Sequence, residues 1–299
     1  VIDRRYRLVA ADPLAAGEIE LIAPQSLGFA KARRPYDFHK GMAGRVAILA
    51  GSARYPGAAV LAAIGALRGG AGLITLHVPA RIAQRIAAQC PPEIILRTYH
   101  SPLDWHHLHG DSLVIGCGLG DMDDASAACL LEGIAHASGP VVIDADALNL
   151  IARSGQLGMI GPNHLLTPHP GEFQRLAPDL AGLPREIAAR RFTDRCPATL
   201  LLKGCRTLVT RRNHPLWANA TGHPGMATGG QGDLLAGLIG ARLAAGDPPV
   251  EAASLAAWLC GRSAEIALNA TGLSQESLTP SDVAHYLGSA FLDWQRARR

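Results

Sequence analysis

Short apolar runs recur along the chain, and each stops at a glycine or a polar residue. Val46-Ala47-Ile48-Leu49 ends in Gly51-Ser52, and Leu113-Val114-Ile115 ends in Gly116-Cys117-Gly118-Leu119-Gly120. Val141-Val142-Ile143 runs into Asp144-Ala145-Asp146, Leu165-Leu166 into Thr167-Pro168-His169, and Leu200-Leu201-Leu202 into Lys203-Gly204. Runs this short, without polar alternation, predict strands buried on both faces. Leu73 to Val78 predicts another strand. Between them, the alanine-rich stretch Ala58 to Arg68 predicts a helix stopped by Gly69-Gly70, as helix C-termini prefer. Arg81 to Gln89, Gln231 to Ala245 and Glu251 to Leu268 predict further helices. Alternating strands and helices predict an α/β fold with a mostly parallel central sheet and helices on both faces. Ligands of such sheets bind outside the carboxyl ends of the strands, so polar chemistry is expected along one edge. Residues 1–35 show no period and are set apart as an N-terminal extension or linker, leaving residues 36–299 as the domain.

Composition narrows the picture. Of 299 residues, 48% are hydrophobic and 18% charged, which suits a large core and argues against disorder. The net charge of +3 is small, and Arg4-Arg5, Arg33-Arg34 and Arg211-Arg212 are scattered, so no nucleic-acid partner is expected. The six cysteines (90, 117, 129, 196, 205 and 260) show no C-x-x-C spacing. They read as free thiols in a reducing compartment. No apolar stretch is long and pure enough for a bilayer, and the first residues lack a secretory pattern, so the expected setting is cytoplasmic, without a membrane partner.

The strongest chemical signal is Gly225-Met226-Ala227-Thr228-Gly229-Gly230-Gln231-Gly232-Asp233, followed at once by an apolar helix. Small residues allow close backbone approach, and a helix N-terminus offers unpaired N–H groups to an anion. Gly230 and Gly232 would shape that anion hole. Asp233 could be a helix cap, but a cap needs no glycine-rich lead-in; a carboxylate here suits proton acceptance from a hydroxyl that attacks phosphorus. The loop lacks the G-x-x-x-x-G-K-[ST] signature, which argues against the P-loop class.

Several motifs then agree in order: Tyr55-Pro56-Gly57-Ala58-Ala59, Arg68-Gly69-Gly70-Ala71-Gly72, Asp144-Ala145-Asp146-Ala147-Leu148-Asn149, Thr167-Pro168-His169-Pro170-Gly171-Glu172, Leu202-Lys203-Gly204 with Thr207, and the Gly225 to Asp233 loop. From about Asp37 to the last helices, the chain resembles the ADP-dependent (S)-NAD(P)H-hydrate dehydratases of the ribokinase-like superfamily. The resemblance implies a ribokinase-like three-layer fold. It also implies dehydration of hydrated NADH or NADPH (NADHX or NADPHX) back to the working cofactor, with Mg²⁺, as ADP becomes AMP and phosphate. ATP remains open as the cosubstrate. An NAD(P)H-hydrate epimerase is the implied functional partner, and homo-oligomers are common among relatives of this size. Residues 1–35 could be the tail of a fused epimerase or a separate extension.

By the same resemblance, Ala58, Gly120, His169 and Asp233 contact the hydrated cofactor. Lys203, Gly204, Cys205, Arg206 and Thr207, with Gly230 and Gly232, hold the nucleotide. Asp233 is the catalytic base. Glu172 looks like the acid of a metal-associated motif acting on Mg²⁺ through water. Read from the residues alone, Ala58 could be helix packing, Gly116, Gly118 and Gly120 a strand-to-loop turn, and Glu172 a first-turn acid favouring the helix dipole. Asp146 could orient groups at the site or cap Ala147 to Ala152. His106, His107 and His109 beside Trp105 lack a fourth ligand and read as a solvated loop. Three positions depart from the family pattern: Cys117, where proline is commoner, His223, where asparagine is, and Gln231, often threonine. The runner-up is a small-molecule kinase of the vitamin-precursor type, and a non-catalytic nucleotide-binding protein is the alternative from another class.

Overall fold

The structure, a computed structural model, describes residues 19–25, 34–101, 105 and 108–297. In chain order its elements are β1 (Ile19–Ile22), β2 (Arg45–Leu49), α1 (Pro56–Arg68), β3 (Leu73–Pro79), α2 (Ala83–Ala87), β4 (Ile95–Tyr99), β5 (Ser112–Ile115) and α3 (Asp124–Ala135). There follow β6 (Val141–Ile143), α4 (Ala145–Ser154), β7 (His164–Leu166), α5 (Pro170–Leu176), α6 (Arg185–Arg195), β8 (Thr199–Leu202), β9 (Leu208–Thr210) and β10 (Leu216–Asn219). The last three are α7 (Gln231–Ala244), α8 (Pro249–Thr271) and α9 (Pro280–Arg296). The strands form one sheet in the order β1-β10-β9-β8-β7-β6-β5-β2-β3-β4. Neighbours are parallel except where β9 runs antiparallel to β8 and β10.

The expected strands at 46–49, 113–115, 141–143, 165–166 and 200–202 lie in the middle of this sheet, and their uninterrupted apolar character has a simple cause. Side chains alternate between faces, and both faces are covered. Val46, Ile48, Val114, Val142, Leu165 and Leu201 join one core with α1, α7, α8 and α9. Leu49, Ile115, Ile143, Leu166, Leu200 and Leu202 join a second core with α3, α4, α5 and α6. Small residues bring α1 against α7: a methyl at Gly65 would overlap the Leu234 carbonyl, and one at Gly237 the Ala62 carbonyl. That close contact lays α7 alongside α1, with Leu234 of its first turn against Gly65 and Gly230 against Leu61.

Some expectations need adjustment. Ile19–Ile22, inside the stretch set apart as an extension, forms an edge strand parallel to β10, with the Trp217 indole N–H donating to Glu20 Oε2 at 2.9 Å. Four residues carry too little pattern to announce a strand. The helix expected over 81–89 is shorter, a 3₁₀ turn at Ala80–Ile82 followed by α2. His106 and His107 lie outside the described residues. Among those described, no helix is long and apolar enough to cross a membrane.

Candidate functional site

The exits of β5, β6, β7 and β8 and the first turn of α7 converge at one edge of the sheet. Asp144, just after β6, is 1% exposed and forms the centre. Its Oδ1 accepts from Lys203 Nζ at 2.7 Å and from Thr167 Oγ1 at 2.8 Å. The Cys117 thiol lies 3.9 Å from Oδ2. Cys117, Asp144 and Asp233 bring their sulfur and carboxylate oxygens within 4.8 Å of one another.

This crowding sets the protonation behaviour. Burial, with the nearby Asp144 charge, raises the Asp233 carboxyl to about 6, against the opposing pull of the Cys117 hydrogen bond and Lys203. Burial, then the Asp233 and Asp144 charges, raises Cys117 well above the usual thiol range, so it stays protonated. Burial alone would lower Lys203, but Asp144 and Glu172 outweigh it and leave the ammonium raised.

Helix α7 starts without a side-chain cap. Gly230 is the N-cap residue at φ 94°, and a methyl there would come within 2.5 Å of Leu61 Cδ1. Asp233 is the third helical residue, and the capping alternative does not describe it. A carboxyl near pH 6 beside an open helix N-terminus and a partly buried ammonium is suited to proton transfer at an anion-binding point.

His169 and Glu172 have more structural partners than the sequence disclosed. They form a complete capping box on α5: His169 Nδ1 accepts from the amides of Gly171 (3.0 Å) and Glu172 (3.4 Å), and Glu172 Oε2 accepts from the His169 amide at 2.8 Å. With Nδ1 accepting, the neutral ring carries its hydrogen on Nε2, which lies 3.4 Å from Glu172 Oε1 on a half-exposed side chain. Glu172 is buried, which raises its carboxyl against the opposing pull of Lys203, 3.8 Å away. Its oxygens are thus largely occupied. A hydrated magnesium ion reached through water fits Glu172, whereas direct ligation does not. The Cys117 trio does not suit magnesium either, because a thiol is a soft donor and Lys203 already sits on Asp144.

The remaining expected residues divide into two groups. Lys203, Gly204, Cys205, Arg206 and Thr207 form the turn between β8 and β9, with Thr207 Oγ1 donating to the Gly204 carbonyl at 3.3 Å. Gly232 belongs beside them, since a methyl on it would be 3.2 Å from Lys203 Nζ. Ala58, third in α1, packs beside Gly118, where a methyl would come within 2.7 Å of its Cβ. The Gly120 amide donates to Asp146 Oδ2 at 2.8 Å, so Asp146 braces the β5 loop and does not cap α4, whose N-cap position is Asp144. Two adjoining cavities share Gly120, Asp121 and Asp146. One, about 240 Å³, reaches Arg54 and Arg81; the other, about 290 Å³, reaches Arg153 and Arg175. A larger cleft of about 650 Å³ lies by Arg190, Arg211 and His214, at the opposite end of the strands from Lys203.

His223 keeps a local role: its Nδ1 accepts from the Gly225 amide at 3.1 Å and caps the short turn Pro224–Met226, as an asparagine would. Sequence reasoning missed Arg185, which grips the 202–205 turn from the start of α6, 17 to 20 residues away. No spacing rule announces such a contact. Cys117 was visible only as a departure, and its glycine neighbours at a strand exit were the available signal.

The family model of the NAD(P)H-hydrate dehydratases matches residues 46–287. The chain is 41% identical over 237 residues to a bifunctional NAD(P)H-hydrate repair enzyme of Gloeobacter violaceus, a match covering 75% of this chain and 45% of that protein. It therefore spans about half the length of such bifunctional relatives. It is 36% identical to an ADP-dependent (S)-NAD(P)H-hydrate dehydratase of Neisseria meningitidis, over 81% of this chain and 83% of that one. Among solved structures, a ribokinase-like superfamily protein from Enterococcus faecalis superposes with a TM-score of 0.80 at 25% identity, covering 92% of this chain and 96% of that one. An ADP/ATP-dependent NAD(P)H-hydrate dehydratase from Bacillus subtilis, co-crystallised with ATP and Mg²⁺, gives 0.77 at 26% identity, covering 92% and 98%.

Proposed function

The chain belongs to the NAD(P)H-hydrate dehydratase family, and on that premise we propose that it dehydrates the S form of hydrated NADH or NADPH, with ADP becoming AMP and phosphate. One observation carries this reading: the uncapped, glycine-led start of α7 holds Asp233, a carboxyl raised to about 6, beside Lys203 and Asp144.

The chemistry balances in two steps. The hydroxyl oxygen of the hydrate attacks the terminal phosphorus of ADP while Asp233 takes the hydroxyl proton; an O–P bond forms and the O–P bond to AMP breaks. The phosphate then leaves with the electron pair of the C–O bond, and loss of a proton from the adjoining carbon restores the double bond. Phosphorylation is useful because phosphate leaves far more readily than hydroxide. Phosphoryl transfer needs mainly positioning and charge neutralisation. Gly230 and Gly232, with the 203–207 turn, would hold the nucleotide. Ala58, Gly120 and His169 Nε2 would line the hydrated ring, with the arginine-bordered cavities beside Gly120 receiving the rest of the dinucleotide. When bound, Mg²⁺ neutralises charge on the nucleotide phosphates, and Glu172 would hold its hydration shell. An epimerase, fused or separate, would supply the S form. ATP is the competing donor, since it offers a terminal phosphate to the same turn.

The test is recovery of the dihydronicotinamide absorbance from the S-hydrate of NADH, with purified protein, Mg²⁺ and ADP, ATP or no nucleotide. Recovery only with nucleotide supports the reading, and the faster donor identifies the cosubstrate. Absence of recovery from protein shown to bind ADP contradicts it.

A further inference from the structure

We propose that Arg185 is the positioning residue of the Lys203–Thr207 turn, holding its backbone so that amide hydrogens face a bound nucleotide; this rests on the reading of that turn as the nucleotide site. Arg185 opens α6, and its Nη1 donates to the Cys205 carbonyl at 2.7 Å. Its Nη2 donates to the carbonyls of Leu202 and Lys203, each at 3.1 Å. One guanidinium therefore gathers three carbonyl oxygens from a four-residue stretch.

The consequence follows from peptide planarity. In a trans peptide the N–H points opposite to the C=O. With the carbonyls of Lys203 and Cys205 drawn onto Arg185, the amides of Gly204 and Arg206 face the other side of the turn. Amides directed to one side of a turn make a concavity that attracts anions. The backbone needs a clamp to stay this way: Gly204 lies at φ 141° and Arg206 at φ 56°, the latter a region that side-chain-bearing residues seldom occupy. Gly204 also admits the guanidinium, because a methyl there would be 3.0 Å from Nη2. Lys203 cannot do the work alone, since its ammonium is turned inward onto Asp144 and Glu172. The fork geometry of arginine matters too, for a lysine cannot span three carbonyls in the same way.

The experiment compares Arg185→Ala and Arg185→Lys with the unaltered chain, measuring ADP binding by calorimetry and both KM values in steady state. For Arg185→Ala the ADP Kd and KM are expected to rise about thirtyfold. The KM for the hydrate should stay within about twofold and kcat at saturating ADP within about threefold. Arg185→Lys should be intermediate, and millimolar methylguanidinium should restore part of the ADP affinity of Arg185→Ala. An unchanged ADP Kd, or an equal rise in both KM values, overturns the assignment. If Arg185→Ala does not fold, Arg185→Lys decides: an ADP Kd equal to that of the unaltered chain overturns it. ADP binding by the unaltered chain is the control, because its absence would sink the nucleotide reading itself.

Discussion

Helices α7 and α9 both carry an aspartate as their third residue, and the two aspartates do different things. At α9, Thr279 is the N-cap: its hydroxyl accepts from the Asp282 amide at 3.3 Å, and Asp282 Oδ2 accepts from the Thr279 amide at 2.8 Å. Pro280 fills the first helical position, where a missing N–H costs nothing. At α7, Gly230 occupies the cap position and offers no side chain, so Asp233 has no cap to complete. Its carboxyl faces Asp144 and Cys117 instead. An acid at this helical position is thus a structural device when the cap residue reciprocates. When the cap is glycine, the same acid has no such duty, and in α7 it sits in a setting that disfavours its charge.

The comparison can be broken most severely at Asp233. Asp233→Asn is expected to lower turnover by about a thousandfold while ADP affinity stays within about tenfold, because a base acts on the proton and does not anchor the nucleotide. Equal losses in turnover and binding would contradict the assigned role. Activity of the unaltered chain should fall as pH drops below about 6, where Asp233 takes up its proton.

The same substitution should stabilise the fold, which no cap removal would do. The carboxyl is raised from 3.8 to about 6 on folding, so between those values the native state binds more protons than the unfolded chain. Stability of the unaltered chain therefore falls as pH rises through that window, and the full cost, on the order of 3 kcal/mol at most, persists above it. Asp233→Asn should be more stable than the unaltered chain at pH 8, with the gap closing toward pH 4, as read by urea unfolding. Lower stability of the variant at pH 8 would show that the carboxylate is well paired.

Gly232→Ala gives a smaller split. Alanine favours a helix by up to about 1 kcal/mol over glycine, so the Tm should not fall. Its methyl, 3.2 Å from Lys203 Nζ and 3.6 Å from Asp144 Oδ2, should reduce turnover about tenfold. Thr279→Ala is the counterpart at α9: a loss of about 1 kcal/mol in stability, with turnover unchanged within about twofold. If Thr279→Ala cost activity and Gly232→Ala did not, the contrast between the two helix starts would fail.

The central strands were legible because five short apolar runs had to be buried on two faces, and the glycine-rich loop was legible because a run of small residues leading into an apolar helix exceeds what a simple cap requires. The outer strands were not: Ile19–Ile22 carries a glutamate and an exposed leucine, Leu208–Thr210 ends in threonine before two arginines, and the sheet recruits both by backbone pairing. At the site, Asp233, Lys203 and Gly232 do converge. The capping box of His169 and Glu172, the brace from Asp146 to Gly120, and the grip of Arg185 on the 202–205 turn depend on where side chains turn after the backbone is placed. Residue type and spacing hold no record of that direction. Cys117 is the intermediate case, flagged by its position yet explained only when its thiol is seen between Asp144 and Asp233.

In the proposed reaction, nucleotide phosphate is spent to expel the hydroxyl of the hydrate. The most direct measurement follows phosphorus by NMR while the S-hydrate of NADH is repaired with ADP and Mg²⁺. AMP and inorganic phosphate are expected to appear together, one of each per dihydronicotinamide recovered, and both should all but stop with Asp233→Asn. Recovery of the cofactor without cleavage of ADP, or cleavage at the same rate with no hydrate present, would contradict it.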